Sequence, residues 1–99
     1  MFFAVFIYMK KILKVIPKYK VVLTMAGNDY KSEGKTIDEA LAGLALDWVK
    51  IKAKGVIKIT FGKLCLEHLF YMKQLRRIFV NKLTRFMWAK RLQLLLEGK

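Results

Sequence analysis

The 99 residues allow one domain and a core of modest size, with little room for a deep catalytic cleft. Apolar residues make up 56% of the chain, which excludes a disordered tail, and a single cysteine excludes an intramolecular disulfide. Twenty Lys and Arg against seven Asp and Glu give a net charge of +13, a surplus that repels itself until an anionic partner neutralises it.

Residues 1–9 read MFFAVFIYM, an apolar run closed by Lys10 and Lys11. A membrane span needs about 20 such residues, so no transmembrane span is expected here. A secretory signal carries its positive charge before the apolar run, whereas Lys10, Lys11 and Lys14 follow it. Three readings stay open. The run packs on the core as a short strand or helix, or it is an arm that docks on a partner subunit, or it precedes a start at Met9. Residues 1–17 are set apart as an apolar and basic leader, because the residue before Pro17 avoids helix. Residues 18–99 are expected to form a single α+β domain.

Tyr19, Val21 and Leu23 alternate with Lys18, Lys20 and Val22, the period of a strand. Ala26-Gly27-Asn28-Asp29 is a turn cluster, in which Gly and Asn tolerate positive φ. Residues 30–35 return as a short polar strand, completing a hairpin. Thr36-Ile37-Asp38-Glu39 then forms a capping box: the Thr36 hydroxyl accepts from the Glu39 amide, and Glu39 reaches back to the amide of Thr36. Ile37, Leu41, Leu44 and Trp48 recur as one apolar stripe, which predicts a helix over 36–48. Asp38 and Glu39 suit the positive end of its dipole better than an acid–base pair.

The stretch Ser32-Glu33-Gly34-Lys35-Thr36-Ile37-Asp38-Glu39-Ala40-Leu41 is similar to the strand-to-helix passage of HicB-type antitoxins. The Pro-Gly-Cys-type segment that precedes this passage in that family is absent. The same strand, cap and helix occur in many unrelated folds, and no membership is inferred from them.

Val49, Ile51 and Ala53 alternate with Lys50, Lys52 and Lys54, so extended chain is expected soon after Trp48, with Gly55 as a strand irregularity or a turn. Residues 56–61 are a clear strand, with Ile57, Ile59 and Phe61 on one face and Lys58 and Thr60 on the other. Phe61-Gly62-Lys63 turns the chain into a partner strand over 64–71. From residue 73 the period becomes helical: Leu75, Ile78, Phe79, Leu83, Phe86, Ala89, Leu92 and Leu96 fit one stripe. Asn81 is able to cap a second helix, dividing the segment into 73–80 and 82–97. The sum is a ββαββα order: a mainly antiparallel sheet, helices packed on one face and a long basic C-terminal helix.

Nothing supports catalysis. Cys65 and His68 lie three apart in a strand, so their side chains point to opposite faces. One Cys and one His fall short of the ligands a zinc ion takes, so neither metal nor cofactor is expected. Between His68 and Leu96 every charge is positive. Lys73, Arg76, Arg77, Lys82, Arg85, Lys90 and Arg91 are therefore the expected phosphate contacts, with Lys50, Lys52, Lys54 and Lys58 adding to the field from the sheet side. No zinc finger, RNP aromatic signature or GXXG loop accompanies them, so the binding expected is backbone-driven. Trp88 and Tyr71 are able to stack on a base but read first as packing. Two other readings compete. One is an assembly subunit of phage, ribosome-associated or mobile-element type, using the apolar termini for protein contact or self-association. The other is peripheral membrane binding by the last helix, with Phe79, Phe86, Met87 and Trp88 beside Lys and Arg. The setting expected is cytoplasmic, or inside a viral or ribonucleoprotein assembly.

Overall fold

A computed structural model describes residues 18–98. The expectations for residues 1–17 lie outside the described residues. Strand β1 (Tyr19–Met25) pairs antiparallel with β2 (Asn28–Gly34). The loop between them is Ala26-Gly27, at φ 52° and 82°. A type I′ turn requires positive φ at both central positions, and here an alanine takes one of them. Asn28 and Asp29, expected in the turn, belong instead to β2, where Thr24 Oγ1 donates to Asp29 Oδ1 at 2.7 Å.

Strands β3 (Gly55–Phe61) and β4 (Leu64–Phe70) form a second hairpin, turned by Gly62 at φ 59°. β1 also pairs antiparallel with β3, giving one sheet in the order β2-β1-β3-β4. Period-two alternation sorts its faces. Val21, Leu23, Met25, Ile57, Ile59 and Phe70 are buried on one face, while Lys20, Thr24, Lys58 and Glu67 are exposed on the other.

Helices α1 (Ile37–Gly43), α2 (Met72–Val80) and α3 (Lys82–Leu96) cover the buried face, and the α+β fold is the one expected. α1 packs on β2 and β1, α3 packs on α1 and β4, and α2 packs on α3. Gly34 permits the α1 approach: a Cβ there would lie 2.7 Å from the Ala40 backbone nitrogen. Leu41, Leu75, Ile78 and Leu92 complete the core from the helical side.

Thr36 Oγ1 accepts from the Glu39 amide at 3.1 Å, as the capping box requires. Glu39 Oε2 accepts from the amide of Lys35, also at 3.1 Å, one residue before the expected partner. The helix is shorter than the expected 36–48. It ends at Gly43, Leu44 caps it, and Ala45 turns the chain away at φ 48°. Asp47 then gives the backbone a competing acceptor: its Oδ1 takes the Val49 amide at 3.1 Å and caps a 3-10 turn, Trp48–Lys50. Ile37, Leu41 and Leu44 are buried as expected, but Trp48 is 46% exposed. Residues 51–54 form no strand, and Gly55 opens β3 opposite Met25 and Phe70.

The break at Asn81 is as expected. Its backbone is extended (φ −112°, ψ 116°), and its Oδ1 accepts from the amides of Leu83 at 2.9 Å and Thr84 at 3.3 Å. The break resets the helical phase, so the single stripe expected from Leu75 to Leu96 fails in the middle. Leu75, Ile78, Ala89, Leu92 and Leu96 are buried, whereas Leu83 and Phe86 are exposed. Among the described residues no helix is long and apolar enough to cross a membrane.

Candidate nucleic-acid interface

The cations named from the sequence divide into three groups. Lys58 stands alone on the open face of the sheet, directly opposite Glu67 on β4. On the same face Lys20 stands opposite Glu33. Opposite charges facing each other across a ladder offset one another, so this face is mixed in sign. Lys58 therefore does not join the basic residues of the helices, which lie on the other side.

The second group surrounds the 3-10 turn and α2. Arg76 Nε donates to the carbonyl oxygen of Ile51 at 3.0 Å, which fastens the end of the turn onto the helix. Lys50 and Lys52 flank Ile51 and are exposed. Lys73 and Arg77 are exposed on α2, one turn apart. Lys54 is exposed just before β3. An open groove of about 550 Å³ runs between these pieces, lined by Trp48, Arg76, Arg77, Val80, Asn81 and Thr84. The positive end of the α3 dipole, at Asn81 and Thr84, meets the same groove. Asp47 is the acid of this turn, and its Oδ1 is engaged by the Val49 amide.

The third group lies along α3. Arg85 is not a free cation: its Nε donates to Asp38 Oδ1 at 3.1 Å, and its side chain is only 16% exposed. That pair ties α3 to the start of α1. Lys82, Lys90 and Arg91 are exposed. Lys90 Nζ stands 4.7 Å from the centre of the Phe86 ring, and the Arg91 guanidinium 5.3 Å from that of Trp88. Lys90 and Phe86 also line a second groove, of about 450 Å³, between α3 and the start of α1.

Cys65 and His68 lie on opposite faces of β4, as expected. Cys65 is exposed, while His68 faces inward between the rings of Phe70 and Trp88, at 4.7 and 5.8 Å. Trp88 itself meets Phe70 edge-on at 4.9 Å and is a packing residue. Among the described residues no group of three His, Cys, Asp or Glu side chains gathers as a metal site would need. No family model, curated protein or solved structure matches this chain. Residues 32–41, which resemble a passage of HicB-type antitoxins, form the end of β2, the Thr36 cap and the start of α1.

Tyr71, read first as packing, is 63% exposed, and Trp48, read as part of the core stripe, is 46% exposed. For Trp48 the cause is local. Its spacing from Leu44 matched a helical stripe, and the competing signal was Asp47, an N-cap residue immediately before it. Read as a cap, Asp47 begins a new turn and leaves the indole off the core.

Proposed function

We propose that this chain is a small non-enzymatic protein that binds nucleic acid by its phosphate backbone, through the basic surface of the 3-10 turn, α2 and α3. One observation carries the reading. The bond from Arg76 to the Ile51 carbonyl brings Lys50 and Lys52 to the helix that exposes Lys73 and Arg77, so cations distant in the sequence act as one field. Lys82 and Arg91 extend that field along α3. Lys54 stands at its margin, while Arg85 and Lys58 contribute little, each facing a carboxylate. A cytoplasmic or ribonucleoprotein setting accords with such a partner.

The test replaces only cations that hold no structural bond. Lys50, Lys52, Lys73 and Arg77 are changed together to Gln, leaving Arg76 and Arg85 in place. Each phosphate contact contributes about −0.9 to the slope of log affinity against log salt on duplex DNA, so losing four should flatten the slope by up to roughly 3.6 units. All sequences should weaken alike, because none of these contacts reads a base. Unchanged affinity and slope would remove the proposal.

A second reading is favoured by a separate observation. Leu83, Met87 and Leu94 are each about half exposed or more, and with Phe86 they form an apolar strip on the outer side of α3. An assembly subunit would bury that strip against a protein partner or another copy. Light scattering over a range of concentrations tests it, since a chain that remains monomeric throughout does not self-associate.

A further inference from the structure

We infer that the groove between the 3-10 turn and the α2–α3 junction takes single-stranded nucleic acid, with a base stacked on the Trp48 indole and the adjoining phosphate held by Arg76 and Arg77. The inference rests on the nucleic-acid reading and narrows it to single strands.

The backbone around Trp48 is held from both sides. Asp47 caps the turn before it, and the Ile51 carbonyl after it is bonded to Arg76. The indole is nevertheless 46% exposed, and no ring among the described residues stacks on it. With the backbone of its turn anchored, the half-exposed tryptophan offers a flat apolar platform on the groove wall. Its neighbours across the groove are two guanidinium groups. Arg76 uses Nε for the Ile51 carbonyl, which leaves its two terminal nitrogens as donors. Asn81 uses Oδ1 for the α3 cap and retains its amide Nδ2 as a donor, and Thr84 adds a hydroxyl to the lining. A π-platform, charged donors for phosphate and neutral donors for base edges are the combination that single strands exploit. A duplex keeps its bases in the stack and presents only phosphates to such a groove. The volume, about 550 Å³, lies within the range of roughly 300–1,000 Å³ found for small-ligand sites.

The experiment compares the full chain with Trp48→Ala and Trp48→Phe variants. Each is titrated with labelled oligothymidine of about 12 nucleotides and with a duplex of the same length. Trp48 is outside the core, and circular dichroism checks that each variant folds. Stacking is worth about 1–3 kcal/mol per base, so Trp48→Ala should weaken single-strand binding roughly 5- to 150-fold. Duplex binding should change less than about twofold, since the phosphate contacts remain. Trp48→Phe should retain most of the single-strand affinity. Equal losses on single strand and duplex, or no loss on either, would overturn the inference. Salt-dependent duplex binding without single-strand binding would overturn it and leave the nucleic-acid reading standing, whereas binding of neither would remove both.

Discussion

Gly34 shows how one missing methyl group sets the spacing of this fold. It ends β2 under the first turn of α1, where a Cβ would lie 2.7 Å from the Ala40 nitrogen and 2.8 Å from the Glu39 Cβ. The first of these is backbone and cannot swing aside, so Gly34→Ala should lower stability by about 1–3 kcal/mol in urea unfolding. Thr36 acts by adding a group. Its hydroxyl serves the Glu39 amide, and Thr36→Ala should cost about 1 kcal/mol in the same measurement. Cys65→Ser should change stability by less than about 0.5 kcal/mol and leave oligonucleotide affinity unaltered, because the thiol is exposed and faces away from His68. A loss of binding at unchanged stability would mark the thiol as functional. Thr36 is legible in the sequence because its signal is complete within four consecutive residues. Trp48 is not legible, because two local rules compete there and the tertiary bond from Arg76 to the Ile51 carbonyl favours the turn.

Among the elements, the break between α2 and α3 has the clearest local cause. Asn81 satisfies two amides that would otherwise lack partners at the start of α3. Asn81→Ala should cost about 1 kcal/mol, read as a lower thermal midpoint with helical content largely retained. The break was legible from Asn81 itself, but its consequence for the apolar stripe was not. Once the phase resets, Leu83 and Phe86 turn outward although their spacing from Phe79 suits a continuous helix. The strands were legible because alternation sorts side chains without reference to any distant residue. The end of α1 was not, since Ala45 at positive φ carries no residue-type signal of the kind glycine gives. The α1–α3 ion pair joins residues 47 apart and lies beyond any local pattern. Being partly exposed, it is worth less than about 1 kcal/mol, which a double-mutant cycle of Asp38→Asn with Arg85→Gln would measure.

Taken whole, the molecule has two electrical sides. The open sheet face carries Lys20, Lys31 and Lys58 among Asp29, Glu33 and Glu67, so its charges balance. The surplus of positive charge among the described residues therefore resides chiefly on the helical side and in the segment joining α1 to β3. The total of +13 is plain in the composition, but its sidedness depends on strand register and on which cations meet carboxylates. A surface of this kind binds polyanions by releasing condensed counterions, and that release has a direct signature. The decisive measurement is the affinity of the unmodified chain for a labelled oligonucleotide over a series of salt concentrations, starting near 50 mM. With four or more phosphate contacts, log affinity should fall linearly against log salt with a slope of about −3 or steeper. Absence of binding at the lowest salt, or an affinity that does not change across the series, would contradict the account.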